Sequence, residues 1–235
     1  MASWMVHLQV ADAMLDRLKG IADTEFIVGN IAPDSGVPSQ DWSYYMPSSR
    51  VSHFKTGKID TPLGVDIDTF IEQYFTGKMQ ETYTKEQYSF YLGYLTHLLT
   101  DIEWSEKIAE PCKRQFGTLW ETEKEDCIRK MKRDWYDLDF KYIQAHPDFR
   151  AFQIYKNAVN FENEYMDIFA KDAFDNRREY IIQFYLSEKN DLEHEYCYLT
   201  EATAHQFVVE TVETVEGELE RYSNSFATSV LSPYG

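Results

Sequence analysis

Residues 85–108, KEQYSFYLGYLTHLLTDIEWSEKI, decide the fold class. Leu92, Leu95, Leu99 and Ile102 recur at helical spacing and form one apolar stripe, while Phe90, Gly93, Tyr94, His97 and Trp104 form a second. A helix that is apolar nearly all round belongs at the centre of a protein. On the second stripe His97 and Asp101 lie four residues apart, so their side chains share a face about one turn apart. A buried, ionised Asp needs a cation, a strong hydrogen-bond network or a raised pKa. A hydrogen-bonded His–Asp core pair and a metal clamp both satisfy that need.

Working outward, the same period predicts helices over 5–19, 69–77, 118–136, 147–159, 161–186 and 198–221, with hardly any β signal. No repeat, low-complexity tract or Gly/Ser linker divides the chain. The expectation is an all-α fold, a single multi-helix domain over 1–235 with a buried central helix that can bind metal. Between the first helices, FIVGNIAPDSGVPSQDWSYYMPSSRVSHF (26–54) holds Gly29, Pro33, Gly36, Pro38 and Pro47 and reads as a long loop of the functional kind. Pro111 reads as a break, and SNSFATSVLSPYG (223–235) as a surface or frayed tail.

Composition narrows the function. Lys and Arg number 23 against 40 Asp and Glu, a net charge of −17, which disfavours long nucleic acids and anionic membrane surfaces as partners. Hydrophobic residues at 43% and aromatics at 16% supply a packed core. The sequence has no apolar run of membrane-spanning length, and its opening residues do not read as a secretory signal, so a cytoplasmic protein without integral membrane contact is expected. Cys112, Cys127 and Cys197 fit no disulfide framework or thiolate metal motif and read as reduced and structural. There is no phosphate loop, dinucleotide fingerprint or basic stripe. His194–Glu195 begins a H-E-x-x-H motif, but position 198 is Tyr, and an adjacent His-Asp pair occurs nowhere. The acidic stretches 121–126 and 210–220 read as solvated helix faces.

Further candidate ligands come from other segments. His7 falls on the inward face of the first helix with Ala11, Met14 and Leu18, Asp34 lies in GNIAPDSG, and His53 lies in SSRVSHF. With His97 and Asp101 they make five imidazole and carboxylate donors, the set used by zinc, iron or manganese hydrolytic sites. The order His7, GNIAPD, SHF, YLGYLTHLLTD resembles the zinc-dependent phospholipase C superfamily, which includes the single-strand-specific nucleases, over residues 4–106. Smaller bacterial members give the closest resemblance. It implies an all-α fold and metal ligands His7, Asp34, His53, His97 and Asp101. It also implies one or two divalent transition metals, zinc first, with iron, manganese or nickel as alternatives.

Departures from the family pattern shape the expectation. Trp4 lies only three residues before His7, so it does not match the family's terminal tryptophan ligand, and Lys107 stands where the fuller family has a His six residues after the helical Asp. The family's downstream His-x-x-x-Glu is missing, and the nearest substitutes are Glu201 with His205, or Asp134, Asp137 and Asp139 with His146. One site from Asp34, His53, His97 and Asp101 is therefore expected, with room for a second metal bridged by Asp101 and held partly by His7. Such a site would hydrolyse a small soluble phosphoester as a phospholipase C-like phosphodiesterase, with Asp34 as ligand and as orienter or base for water. The alternative is a non-catalytic, metal-stabilised binding module that has lost part of the cluster. Trp42, Tyr44, Tyr45 and Trp104 would stack on a base or pack on a choline cation if they line the cleft, and otherwise belong to core and rim.

Overall fold

The computed structural model describes residues 1–39, 41, 43–61, 63–76, 82–189 and 191–230, without the side chains of 223–230. In chain order the helices are α1 (Trp4–Arg17), α2 (Asp23–Ile31), α3 (Ser49–Ser52), α4 (Ile67–Tyr74) and α5 (Lys85–Trp104), followed by α6 (Glu110–Phe116) and α7 (Leu119–Thr122). The series ends with α8 (Lys124–Ala145), α9 (Arg150–Asn157), α10 (Ala173–Leu186) and α11 (Glu201–Val230). A 3-10 turn, Ala32–Asp34, follows α2, and a short antiparallel pair joins β1 (Val37–Pro38) to β2 (Tyr45–Met46). The fold is all-α, and no described helix is long and apolar enough to cross a membrane.

The central helix starts at a reciprocal cap. Thr84 Oγ1 accepts from the Gln87 amide at 3.2 Å, and Gln87 Oε1 accepts from the Thr84 amide at 3.1 Å. Every residue from Ser89 to Asp101 is buried, as the twin apolar stripes require. Helix α2 lies against α5 with the two backbones in direct approach. A Cβ on Gly93 would stand 2.0 Å from the Phe26 carbonyl oxygen, and one on Gly29 would stand 2.1 Å from that of Phe90. Both are backbone atoms that cannot swing aside, so only glycine fits either position.

That contact corrects the long loop expected from residue 26. Residues 26–31 are helical, and Gly29 serves as a packing surface. Pro111 does not end the helical path either. Helix α5 runs into a π-helical stretch, Ser105–Ala109, and Pro111 sits in the first turn of α6, directly after that stretch. The helix expected from 161 begins only at Ala173. Asn163 occupies the preceding segment, accepting from the amides of Tyr165 and Met166 and donating to the carbonyls of Met166 and Phe169, so its side chain replaces helical bonds. The end of the chain differs as well, since α11 continues through Val230, and residues 231–235 lie outside the described residues. Cys112 and Cys127 are buried thiols, whereas Cys197 is exposed.

Helix α1 is fixed at its start by a buried acid. Ser3 caps the helix, and its hydroxyl donates to Asp139 Oδ1 at 2.8 Å, while the Tyr185 hydroxyl donates to Asp139 Oδ2 at 2.7 Å. Burial outweighs both hydrogen bonds and pushes the Asp139 carboxyl up to about 7.

Gly93→Ala must force α2 and α5 apart and should lower the melting temperature by roughly 4–10 °C; a change under about 1 °C would show that the backbones do not meet as described. Between the ordinary carboxyl value of 3.8 and about 7, Asp139 holds a proton in the folded chain that the unfolded chain lacks. Its contribution is fully present below that range and is lost as pH rises through 7. Melting curves from acid to mildly alkaline pH should therefore fall more steeply for the wild type than for Asp139→Asn, and parallel curves would contradict the assignment.

Candidate metal centre

Four local structures deliver five side chains to two adjoining donor groups, His7–His97–Asp101 and Asp34–His53–His97, which share His97. His7 comes from the buried face of α1, Asp34 from the 3-10 turn, His53 from the residue closing α3, and His97 and Asp101 from α5. The side chains of His7, His97 and Asp101 are fully buried, that of His53 is 1% exposed and that of Asp34 is 11% exposed. Asp34 is thus the carboxylate of the group that reaches the cleft.

The donor atoms face one another across short gaps. His53 Nε2 lies 3.3 Å from His97 Nε2, 3.4 Å from Asp34 Oδ1 and 3.6 Å from Asp101 Oδ2; His97 Nε2 is also 3.6 Å from Asp101 Oδ2. Four N and O donors around a tetrahedral zinc stand about 3.3–3.6 Å apart. The other oxygen, Asp101 Oδ1, lies 3.4 Å from His7 Nε2 and accepts the Ala2 amide at 2.8 Å. Asp101 therefore presents one oxygen to the His53–His97 side and the other to His7, whose ring stacks on His97 with centroids 3.7 Å apart.

Neighbouring groups aim the rings. His97 Nδ1 lies 2.7 Å from the Asn30 carbonyl oxygen, so that nitrogen carries the proton and donates, which leaves the Nε2 lone pair pointing inward. His53 Nδ1 is 3.0 Å from Ser52 Oγ, and the buried Tyr94 hydroxyl donates to the Ser52 carbonyl, tying α3 to the central helix.

The chemistry of the group fits a dication. Both ring nitrogens of His7 and Asp101 Oδ2 are buried without a hydrogen-bond partner, an arrangement that costs about 1–3 kcal/mol per atom unless something else binds there. Burial, aided by His97, holds His7 down at about 4, so its imidazole is neutral at pH 7. Burial works against charge on Asp34 and Asp101, but the imidazoles around both, and the amino terminus beside Asp101, outweigh it and keep them below the usual carboxylate range. Two carboxylates held below their usual range, together with neighbouring imidazole lone pairs, form a donor set that could hold a zinc ion.

The other sequence candidates lie elsewhere. Asp134 accepts the Tyr198 amide, Asp137 pairs with His194 and Lys189, and Asp139 serves Ser3 and Tyr185. His146, Glu201 and His205 are exposed, and none of the six belongs to a potential metal group among the described residues. Lys107 turns to Glu103 and Glu210. His194, from the incomplete H-E-x-x-H motif, lies in a bend outside any helix. Of the aromatic candidates, Trp104 is core, edge-on to Trp135 and Phe207, Tyr44 is exposed, and Tyr45 lines the cleft. Trp42 lies outside the described residues.

Sequence reading missed the far wall of the cleft, a space of about 880 Å³ that opens beside Asp34 and His53. Lys113, Lys124, Lys132 and Arg177 line it, so the expectation of an acidic protein without a basic surface does not hold at this mouth. These residues come from α6, α8 and α10 and form no pattern in sequence, although RKMKR (129–133) was a local hint.

Residues 6–104 match the model of a family described as zinc dependent phospholipase C. No curated protein and no solved structure matches the chain. Residues 6–104, a little under half of the chain, are thus similar to the zinc-dependent phospholipase C family, and zinc is the metal which that similarity implies.

Proposed function

We propose that the protein is a zinc-dependent phosphoric ester hydrolase that acts on phosphodiesters, with His53, His97, Asp34 and Asp101 holding the metal and His7 extending the site on the far side of Asp101. The observation that carries this reading is the convergence of His53 Nε2, His97 Nε2, Asp34 Oδ1 and Asp101 Oδ2 within 3.3–3.6 Å along the four measured separations, at the floor of an open cleft. Bound zinc supplies Lewis-acid polarisation of a phosphoryl oxygen and makes a water more acidic.

The protein's own residues divide the remaining work. The Asn30 carbonyl keeps His97 in the tautomer that presents Nε2. Asp101 is wholly buried and can act only inward, whereas Asp34 lines the cleft and can reach solvent. Asp34 is therefore suited to accept a proton from the attacking water, or to orient it, as well as to hold metal. The apolar packing of α1, α2 and α5 excludes bulk water from behind the donors, which strengthens every charge interaction at the floor.

The zinc-loaded protein should turn over bis(p-nitrophenyl) phosphate, and a chelator should abolish the turnover until zinc is restored. Asp34→Asn should retain most of the metal while kcat falls at least about 100-fold. If the variant keeps both metal and full activity, Asp34 has no catalytic role. Metal without turnover of any phosphoester in the wild type would leave a binding module in place of an enzyme.

A further inference from the structure

The cleft wall facing the candidate metal site is basic in a chain that has 40 acidic residues against 23 basic ones. Asp34 is the single carboxylate lining it, against the cations Lys113, Lys124, Lys132 and Arg177. Lys113 is paired with Glu110. Among the described residues, no carboxylate lies within ion-pair distance of Lys124, Lys132 or Arg177, while cations elsewhere, such as Lys107, Arg150 and Arg221, are paired. Arg177 is also fixed in place, because its Nη2 donates at 2.7 Å to the carbonyl of Gly36, two residues beyond Asp34.

Three aromatic rings of the cleft, Trp4, Tyr180 and Trp120, already have the protein's own cations beside them. The Arg177 guanidinium lies 5.8 Å from the centre of the Trp4 ring and 5.5 Å from that of Tyr180. Lys113 and Lys124 lie 5.5 and 5.8 Å from that of Trp120. A quaternary ammonium group is favoured by ring faces clear of other cations and by carboxylates nearby, whereas here three rings have cations beside them and the lining has one carboxylate, Asp34. Unpaired guanidinium and ammonium groups at a half-enclosed mouth instead favour an anion.

We infer that the substrate carries a second negative group besides the phosphodiester, such as a carboxylate or a further phosphate, and that Lys124, Lys132 and Arg177 receive it while the metal site takes the scissile phosphate. The inference rests on the phosphodiesterase reading and names its substrate class. It also excludes a choline headgroup as the preferred ligand, although residues 6–104 match a family described as zinc dependent phospholipase C. Lys124, Lys132 and Arg177 are positioning residues in this scheme, since their charges act on the substrate arm away from the reacting bond.

Two p-nitrophenyl phosphodiesters that differ only in the second arm test it, one ending in carboxyethyl and the other in choline, with zinc-loaded full-length protein. The carboxyethyl ester should have a kcat/KM on the order of tenfold higher, expressed mainly in KM. The double variant Lys124→Gln, Lys132→Gln should bring the ratio of the two esters towards unity, and Lys124→Arg, Lys132→Arg should restore it. Equal or reversed preference in the wild type overturns the inference. If neither ester nor bis(p-nitrophenyl) phosphate is hydrolysed, the phosphodiesterase reading fails. Calorimetric titration with the same two esters then reads the charge preference alone, which must still favour the carboxyethyl arm.

Discussion

The approach of two helix backbones at Gly29 and Gly93 is the constraint on which the rest of the molecule depends. Because neither position has a Cβ, α2 lies directly on α5, and the carbonyl at Asn30 comes within 2.7 Å of His97 Nδ1. That single contact sets the tautomer of the central histidine and so the direction of its free lone pair. The 3-10 turn that follows α2 then brings Asp34 to the same place. Separation of the helices by even the width of a methyl group would break the Asn30–His97 bond and carry Asp34 off its neighbours.

Around this crossing the protein gathers charge that an apolar core would otherwise reject. Asp101 lies near the C-terminal end of α5, with Leu98, Leu99 and Trp104 close by in sequence, and two of its four imidazole and amide contacts come from α1 and the residues preceding it. A dication bound there would turn that liability into a stabilising element, because folding would then create a binding site that the unfolded chain lacks. The surface adds a second inversion of sign. A chain with a net charge of −17 places four cations and one carboxylate around the cleft that leads to its buried acids, so an approaching anion meets a field opposite to that of the whole molecule.

Much of this was legible in the residues and some was not. The buried helix and the His97–Asp101 pair followed from two apolar stripes at one period, and His7 from the inward face of α1, because local periodicity determines which side chains face the core. The structure brings together all five side chains named from the sequence. Gly29 and Pro111 were misread as breakers because the same residue types serve close packing and first-turn positions, and only tertiary context separates those uses. The segment before Ala173 was misread as helix because the bonds of Asn163 to its neighbours outcompete apolar periodicity there. The basic cleft could not be read at all, since Lys113, Lys132 and Arg177 belong to three helices that meet only in the fold.

Elemental analysis of protein purified without chelator, comparing the wild type with His97→Ala, tests most directly whether the buried donors are metal ligands. The geometry predicts at least one zinc per chain in the wild type and a nearly complete loss in the variant, with the fold checked by circular dichroism. A folded His97→Ala protein with an undiminished metal content would contradict it.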